Sequence, residues 1–328
     1  IFLWSYIFLF FLFIFGFVGS QTFSYELVQL FTKLLVAMIL MPMLVILLID
    51  KIGFQEFLNL FFSLIAISFF VILVQFLESD FLLPMYMVDT YGQTGGRHPS
   101  VFVNPNIMGS IYLLGFILIN IWKTNPNKRL IFQVILISGI LISQSRTVFI
   151  NLIFFLVSYN FFSKKSEAFS KNGFFSLILA IGLVIFFISI GSAERIITYS
   201  EQLLYDKRII FWTSTWSSIK DSLLFGLGHL SAERIVPWGS GVGPHNTFLW
   251  IICNSGIFPM LIFTSFILFL FIKAIRKNLI SINLIFSYFL ILMTNHDVLR
   301  SPLVSIIFTI GIYYLFSKKV NVKYKQSL

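Results

Sequence analysis

Residues 192–228 read SAERIITYSEQLLYDKRIIFWTSTWSSIKDSLLFGLG, and residues 229–250 read HLSAERIVPWGSGVGPHNTFLW. Residues 192 to 246 form a polar interval of roughly fifty residues in a chain whose other stretches rarely leave apolar runs. Sequence on either side reads as membrane anchor. Inside the interval, Ile209, Trp212, Trp216, Ile219 and Leu223 recur every three or four residues and so share one helix face. Arg208, Ser214, Ser217, Lys220 and Asp221 fall largely elsewhere around that helix. The spacing predicts an amphipathic helix in the membrane interface, tryptophans at the headgroup level and polar face towards water. An ordinary connector packed on a membrane bundle fits the same pattern.

Working outward, the composition decides the class. The 328 residues are 58% hydrophobic and 11% charged, with a mean hydropathy of +0.94. A water-soluble globule would carry about twice that charged fraction. The apolar runs are continuous over about twenty residues, whereas strands of a membrane barrel alternate apolar and polar positions. The expected fold is therefore all-α, a polytopic transmembrane bundle of about ten spans with a large outward-facing loop containing amphipathic helices. Spans are expected at 1–18, 27–49, 57–77, 106–122, 130–143, 147–162, 173–191, 246–272, 279–293 and 302–316. A single helix over 130–162 would measure about 50 Å against a hydrocarbon core of about 30 Å. The sequence is accordingly broken at Gln144-Ser145-Arg146. Three regions result: N-terminal helices over 1–96, a catalytic membrane domain over 97–272 that includes the outer loop 192–245, and C-terminal helices with a basic tail over 273–328. The chain begins at Ile1 with no basic segment ahead of its first apolar run, which reads as an N-terminus truncated or processed, with further spans upstream.

The net charge of +10 records which loops stay in the cytoplasm, and nucleic acid is not an expected partner. Lys123, Lys128 and Arg129, then Lys164, Lys165 and Lys171, then Lys273, Arg276 and Lys277 fall on one predicted side, the cytoplasm. The opposite side carries most of the acids, and its cations are mostly arginines: Arg97, Arg146, Arg195, Arg208, Arg234 and Arg300. Topology disfavours any cation there, and arginine is the better phosphate ligand because its planar fork donates in pairs. Arg195 and Arg234 each follow a glutamate and read as members of structural ion pairs. Arg97, Arg146 and Arg208 do not.

Arg146 sits between apolar spans in SQSRTVF, a costly place for a charge and so a candidate site. Its neighbours Ser143, Ser145 and Thr147 could satisfy backbone groups at the helix break or contact a ligand. Arg97 precedes a turn, Asn104-Pro105-Asn106, read as a helix start with Asn106 as cap. Among the histidines, His98 and His229 read as bystanders in flexible glycine-adjacent loops, and His296 as either oriented by Asp297 or solvated. His245 differs, because Gly239, Gly241, Gly243 and Pro244 shape the chain ahead of it and Asn246 can cap the helix that follows. A neutral imidazole there could take a proton from an incoming hydroxyl. No metal site is evident: Glu78 and Asp80 come nearest to a pair, and the first outer loop holds only Glu26. Cys253 is the one cysteine, which excludes an intrachain disulfide.

Taken in order, Arg97 with VNPN, SQSR ending at Arg146, Arg208 with Ile210-Phe211-Trp212, Gly226 to Gly228, His245-Asn246-Thr247-Phe248-Leu249 and Ser255-Gly256 resemble the Wzy-type O-antigen polymerase and O-antigen ligase superfamily of bacterial membrane glycosyltransferases. Two departures are a glycine replaced near Ser100 and an acidic position occupied by Asn254. The resemblance implies a metal-independent glycosyltransferase of the cytoplasmic membrane with its site facing outward. It needs no cofactor and uses an undecaprenyl diphosphate-linked oligosaccharide as donor. It implies Arg146 and Arg208 as diphosphate ligands that stabilise the leaving group, and His245 as the base on the acceptor hydroxyl. Arg97, Asn246, Trp212 and Arg300 are the expected substrate contacts. The lipid bilayer and other polysaccharide assembly proteins, such as a chain-length regulator, are the expected partners. A polymerase of lipid-linked repeat units leads. A ligase moving glycan to a lipid A core or a protein comes next, and a lipid-linked glycan flippase is the alternative of another class, although a transporter should gather its charges near the bilayer midplane.

Overall fold

The computed structural model describes residues 2–20, 25–77, 104–143, 145–162, 207–235, 244, 246–294 and 297–317, and these contain helices and no strand. In order they are α1 (Phe2–Ser20), α2 (Tyr25–Leu35), a π-helical stretch (Val36–Leu40), α3 (Met41–Ile52), α4 (Phe54–Leu77) and α5 (Pro105–Leu118) with a 3-10 turn (Ile119–Ile121). Next come α6 (Pro126–Ser143), α7 (Arg146–Phe162), α8 (Lys207–Ile219), α9 (Ser231–Arg234), α10 (Thr247–Ser255) and α11 (Ile257–Lys277). The last are α12 (Leu279–Thr294), a 3-10 turn (Asp297–Arg300) and α13 (Pro302–Phe316). Four helices, Tyr25–Ile52, Phe54–Gln75, Pro126–Ser143 and Ile257–Lys277, are long and apolar enough to cross a membrane. Shorter apolar helices cover Trp4–Val18, Asn106–Ile121, Thr147–Ser158, Leu279–Thr294 and Pro302–Phe316. The expected span at 173–191 lies outside the described residues.

Helix starts follow local chemistry. Asn104 caps α5 by accepting from the Asn106 N–H at 2.9 Å, with Pro105 at the first helical position. The cap is thus Asn104 and not Asn106, because proline has no N–H to leave orphaned and its fixed φ suits the first turn. The same device opens α6, where Asn125 Oδ1 accepts from Lys128 N at 2.7 Å ahead of Pro126. Ser301 does so ahead of Pro302 in α13. The break at 144–146 is present: Ser143 Oγ donates to the Ile140 carbonyl at 2.7 Å and accepts from Ser145 N at 3.3 Å, and α7 opens with the Phe149 N–H on the Ser145 carbonyl at 3.0 Å. The serines therefore serve the backbone at the break. The π-helical stretch lies just ahead of Met41-Pro42, where the proline ring would crowd the carbonyl four residues back.

The chain divides into two compact units: one holds Ile1–Leu44, Gly182–Lys277 and Tyr288–Phe308, the other Val45–Ile181, Asn278–Ser287 and Thr309–Leu328. In the second unit α5 packs on α6 through small residues: a Cβ on Gly139 would meet Tyr112 Cδ1 at 2.1 Å, and one on Gly115 would meet Leu136 Cδ2 at 2.9 Å. Close approach of this kind is how helices associate where hydrophobic burial gives no preference over lipid. Tyr112 reaches Ser68 at 2.7 Å, and Trp122 stacks on Phe62 at 4.3 Å while its Nε1 donates to Asn59 at 2.7 Å.

In the first unit α1 packs on α10 and α11, with Phe8 against Phe263 at 5.1 Å and Ser255 Oγ donating to the Leu12 carbonyl at 2.9 Å. The expected single span over 246–272 is here two helices, α10 and α11, divided at Gly256, whose φ is +82°. The polar groups freed by the division are taken by residues 223–227: Ile257 N donates to the Leu223 carbonyl and Leu227 N to the Cys253 carbonyl, each at 2.8 Å. Irregular backbone at membrane depth is tolerated where protein supplies such partners. Gly226, with φ +70°, lies so close that a Cβ on it would stand 2.7 Å from Gly256 N and Ser255 N.

Candidate functional site

The described side chains of interest gather in the first unit around the N-terminal half of α10. Asn246 is extended, at φ −148° and ψ 118°, and its Oδ1 accepts from Phe248 N at 3.0 Å and Leu249 N at 3.1 Å. It is the helix cap that the sequence predicts, and its acceptor oxygen is committed to the backbone. One turn on, Trp250 is fully buried, and the Arg300 guanidinium lies 5.6 Å from its ring centroid. That distance is within the range at which a guanidinium is attracted to the face of an indole ring. Arg300 thus comes to α10 from the 3-10 turn Asp297–Arg300, which packs on α10.

Helix α8 packs on the same helix. Its inward row is Phe211, Thr215 and Ile219, spaced four apart and all buried. Of the expected apolar face of Ile209, Trp212, Trp216, Ile219 and Leu223, Ile219 is buried and Trp216 is 51% exposed, while the row turned towards the protein also includes a threonine. Packing against α10 covers the row that holds Phe211 and leaves Trp216 outside it. Trp212 stands half-buried beside this row, and its Nε1–H donates to the Pro244 carbonyl at 2.8 Å, across 32 positions of sequence.

Among the arginines, Arg208 is the second residue of α8, one turn before Trp212, and Arg146 is the first residue of α7, in the other unit. Arg97 and His245 lie outside the described residues, as do His98, His296, Glu78 and Asp80. Among the described residues no group of three or more His, Cys, Asp or Glu could hold a metal ion.

Three polar side chains that the sequence did not single out for this surround are buried in it. His229, read as a loop bystander, is buried against α1: its Nε2 lies 3.2 Å from the Phe13 carbonyl, and a Cβ on Gly16 would stand 2.2 Å from its ring. Burial pushes this imidazole below its usual value, and the hydrogen bond to Phe13 opposes the shift. Asn254, at the position noted as departing from an acid, donates from Nδ2 to the Trp250 carbonyl at 3.0 Å and accepts from Ala232 N at 3.4 Å. A carboxylate has no N–H for the first of these. Thr215 is fully buried with its hydroxyl unpaired. In the second unit Asn151 of α7 is likewise fully buried with neither amide atom paired. The one readable signal for Asn254 and Asn151 was an amide inside an apolar run.

Residues 131–264 match a family model described as O-antigen ligase. The matched stretch contains Arg146, Arg208, Trp212, Gly226, His245, Asn246, Asn254 and Gly256, and leaves out Arg97 and Arg300. No curated protein and no solved structure matches the chain.

Proposed function

We propose, from the match of residues 131–264 to a family model described as O-antigen ligase, that the protein is a membrane glycosyltransferase that joins undecaprenyl diphosphate-linked repeat units of an O-antigen or related surface polysaccharide. The reaction runs on the outer face of the cytoplasmic membrane. The observation that carries the reading is the corner at the start of α10, where Pro244 and Asn246, on either side of His245, are buried and bonded within the matched stretch.

In that reaction His245 takes the proton of the acceptor hydroxyl, and the acceptor oxygen forms a bond to the anomeric carbon of the donor. The bond from that carbon to the diphosphate oxygen breaks, and undecaprenyl diphosphate leaves with the electron pair. Arg208 stabilises the departing charge, and Arg146 is a further diphosphate ligand judged by its own variant. Arg97 and Arg300 are substrate contacts. The diphosphate is a pre-activated leaving group, so the reaction draws on no nucleotide, and arginines take the charge-neutralising part that a metal would otherwise play. A chain-length regulator is a fitting partner for such a polymerase.

The family description, O-antigen ligase, favours a second reading, transfer of finished glycan to a lipid A core or a protein. Gel analysis of surface glycan from a deletion strain separates the two. The polymerase reading expects single-repeat glycan, whereas long glycan retained on its lipid carrier selects the ligase. Unchanged surface glycan overturns both.

A further inference from the structure

We infer that the corner joining α5 to α6 is a binding site for an anionic phospholipid, with Lys123, Lys128 and Arg129 taking the headgroup phosphate and Leu130, Ile131 and Val134 lying along an acyl chain. The site lies wholly in the second unit and is independent of the reaction proposed above.

The backbone of the corner is held by α4. Gln55 donates from Nε2 to the Ile121 carbonyl at 3.1 Å and accepts from Lys123 N at 2.9 Å, while Trp122 donates to Asn59 at 2.7 Å and stacks on Phe62. Two cations are gathered on the same tryptophan: Lys128 Nζ lies 5.1 Å from its ring centroid, and Arg129 Nη2 donates to its carbonyl at 2.9 Å. That bond uses one of the five N–H groups of the guanidinium, and Arg129 Nε is buried with no partner among the described residues. No carboxylate answers the charge. Residues 119–130, INIWKTNPNKRL, contain no acid. Glu56 on α4 accepts from Asn59 at 3.1 Å, and no ion pair joins it to Lys123, Lys128 or Arg129 among the described residues. Three like charges within seven residues repel one another, and an anion between them relieves the repulsion.

The residues that follow favour a lipid over a soluble anion. Leu130, Ile131 and Val134 continue from Arg129 along α6, a helix long and apolar enough to cross a membrane, and are 61%, 59% and 57% exposed. An open aliphatic row directly beside a cationic group matches a molecule that joins a phosphate to an acyl chain. The lysines put this end on the expected cytoplasmic side, where anionic headgroups seat in basic pockets between helices.

The test titrates full-length protein in detergent with phosphatidylglycerol and reads bound lipid by native mass spectrometry. Lys123 and Lys128 are exposed, so Lys123→Gln with Lys128→Gln should leave the fold intact and weaken binding about twentyfold, at roughly fivefold for each cation. Arg129→Lys keeps the charge and loses the planar fork, and should weaken binding about fivefold. Thermal unfolding without added lipid checks that each variant is folded, and the double lysine variant decides the matter if Arg129→Lys is not. Lys273→Gln with Arg276→Gln removes two exposed cations near the C-terminal end of α11, where the helix dipole disfavours an anion, and should stay within about twofold. An equal loss there would reduce the effect to diffuse surface charge and overturn the site. Unchanged affinity in the double lysine variant would overturn it too, as would equal binding of zwitterionic phosphatidylcholine by the wild type. Displacement of the lipid by millimolar inorganic phosphate would make the corner a site for a soluble anion and remove the lipid as its occupant.

Discussion

Arg208, Arg146 and Arg234 carry the same charge, but only the first two are assigned to a diphosphate, and a lysine scan separates the roles. Arg208→Lys and Arg146→Lys should each lose about 10²-fold in transfer rate, because an ammonium cannot reproduce a planar pair of donors on phosphate oxygens in a pre-organised site. Arg234→Lys should stay within about twofold, because Glu233 adjoins it in sequence and surface ion pairs are worth about 1 kcal/mol or less. Rates measured with purified protein and lipid-linked donor, in chelator throughout, check this, and the wild type should keep its rate there. Equal tolerance at all three positions would make them ordinary surface cations. The residue scale also marks where sequence reading stops. Asn246 was legible as a cap because capping is settled within three residues, and the NPN cap was misplaced by only two positions for the same local reason. Trp212 was legible as an aromatic on a helix, but its hydrogen bond depends on a residue 32 positions away.

The element that most resists substitution is the division between α10 and α11. Gly226 and Gly256 both have positive φ, and a Cβ on either would meet backbone atoms: 2.7 Å from Gly256 N in one case, 2.1 Å from the Leu224 carbonyl oxygen in the other. Backbone cannot rotate aside as a side chain does, so Gly256→Ala and Gly226→Ala should each cost about 3 kcal/mol or more. Gly53 provides the comparison: its φ is +89°, yet nothing lies within 4 Å of its missing Cβ. Gly53→Ala should cost only the strain of the backbone, about 1 kcal/mol. Thermal unfolding of the detergent-solubilised protein reads all three, and a Gly256→Ala protein as stable as Gly53→Ala would contradict the close packing. The glycines themselves stood out in the sequence, but their pairing did not. Residues 246–272 form a run apolar enough for one helix, and nothing local says that Leu223 and Leu227 will supply the hydrogen bonds that let Gly256 end α10.

For the molecule as a whole, the lysines predict that 163–172 faces the cytoplasm and 192–245 the exterior. A cysteine introduced at Ser240 should react in intact cells with an impermeant reagent, while one at Ser170 should not. The opposite pattern would invert the topology and move the proposed chemistry to the wrong side of the membrane. What the sequence by itself determined is the helical membrane class, the position of most apolar helices and the break at Gln144-Ser145-Arg146. All of these follow from run length, cap residues and proline, which act over a few neighbouring residues. Only the tertiary structure decided which face of α8 turns inward, that His229 is buried against Gly16 and Phe13, and that α10 ends at Gly256. Each of these depends on a partner distant in sequence, and helical periodicity carries no information about which of several apolar stripes a distant helix will cover.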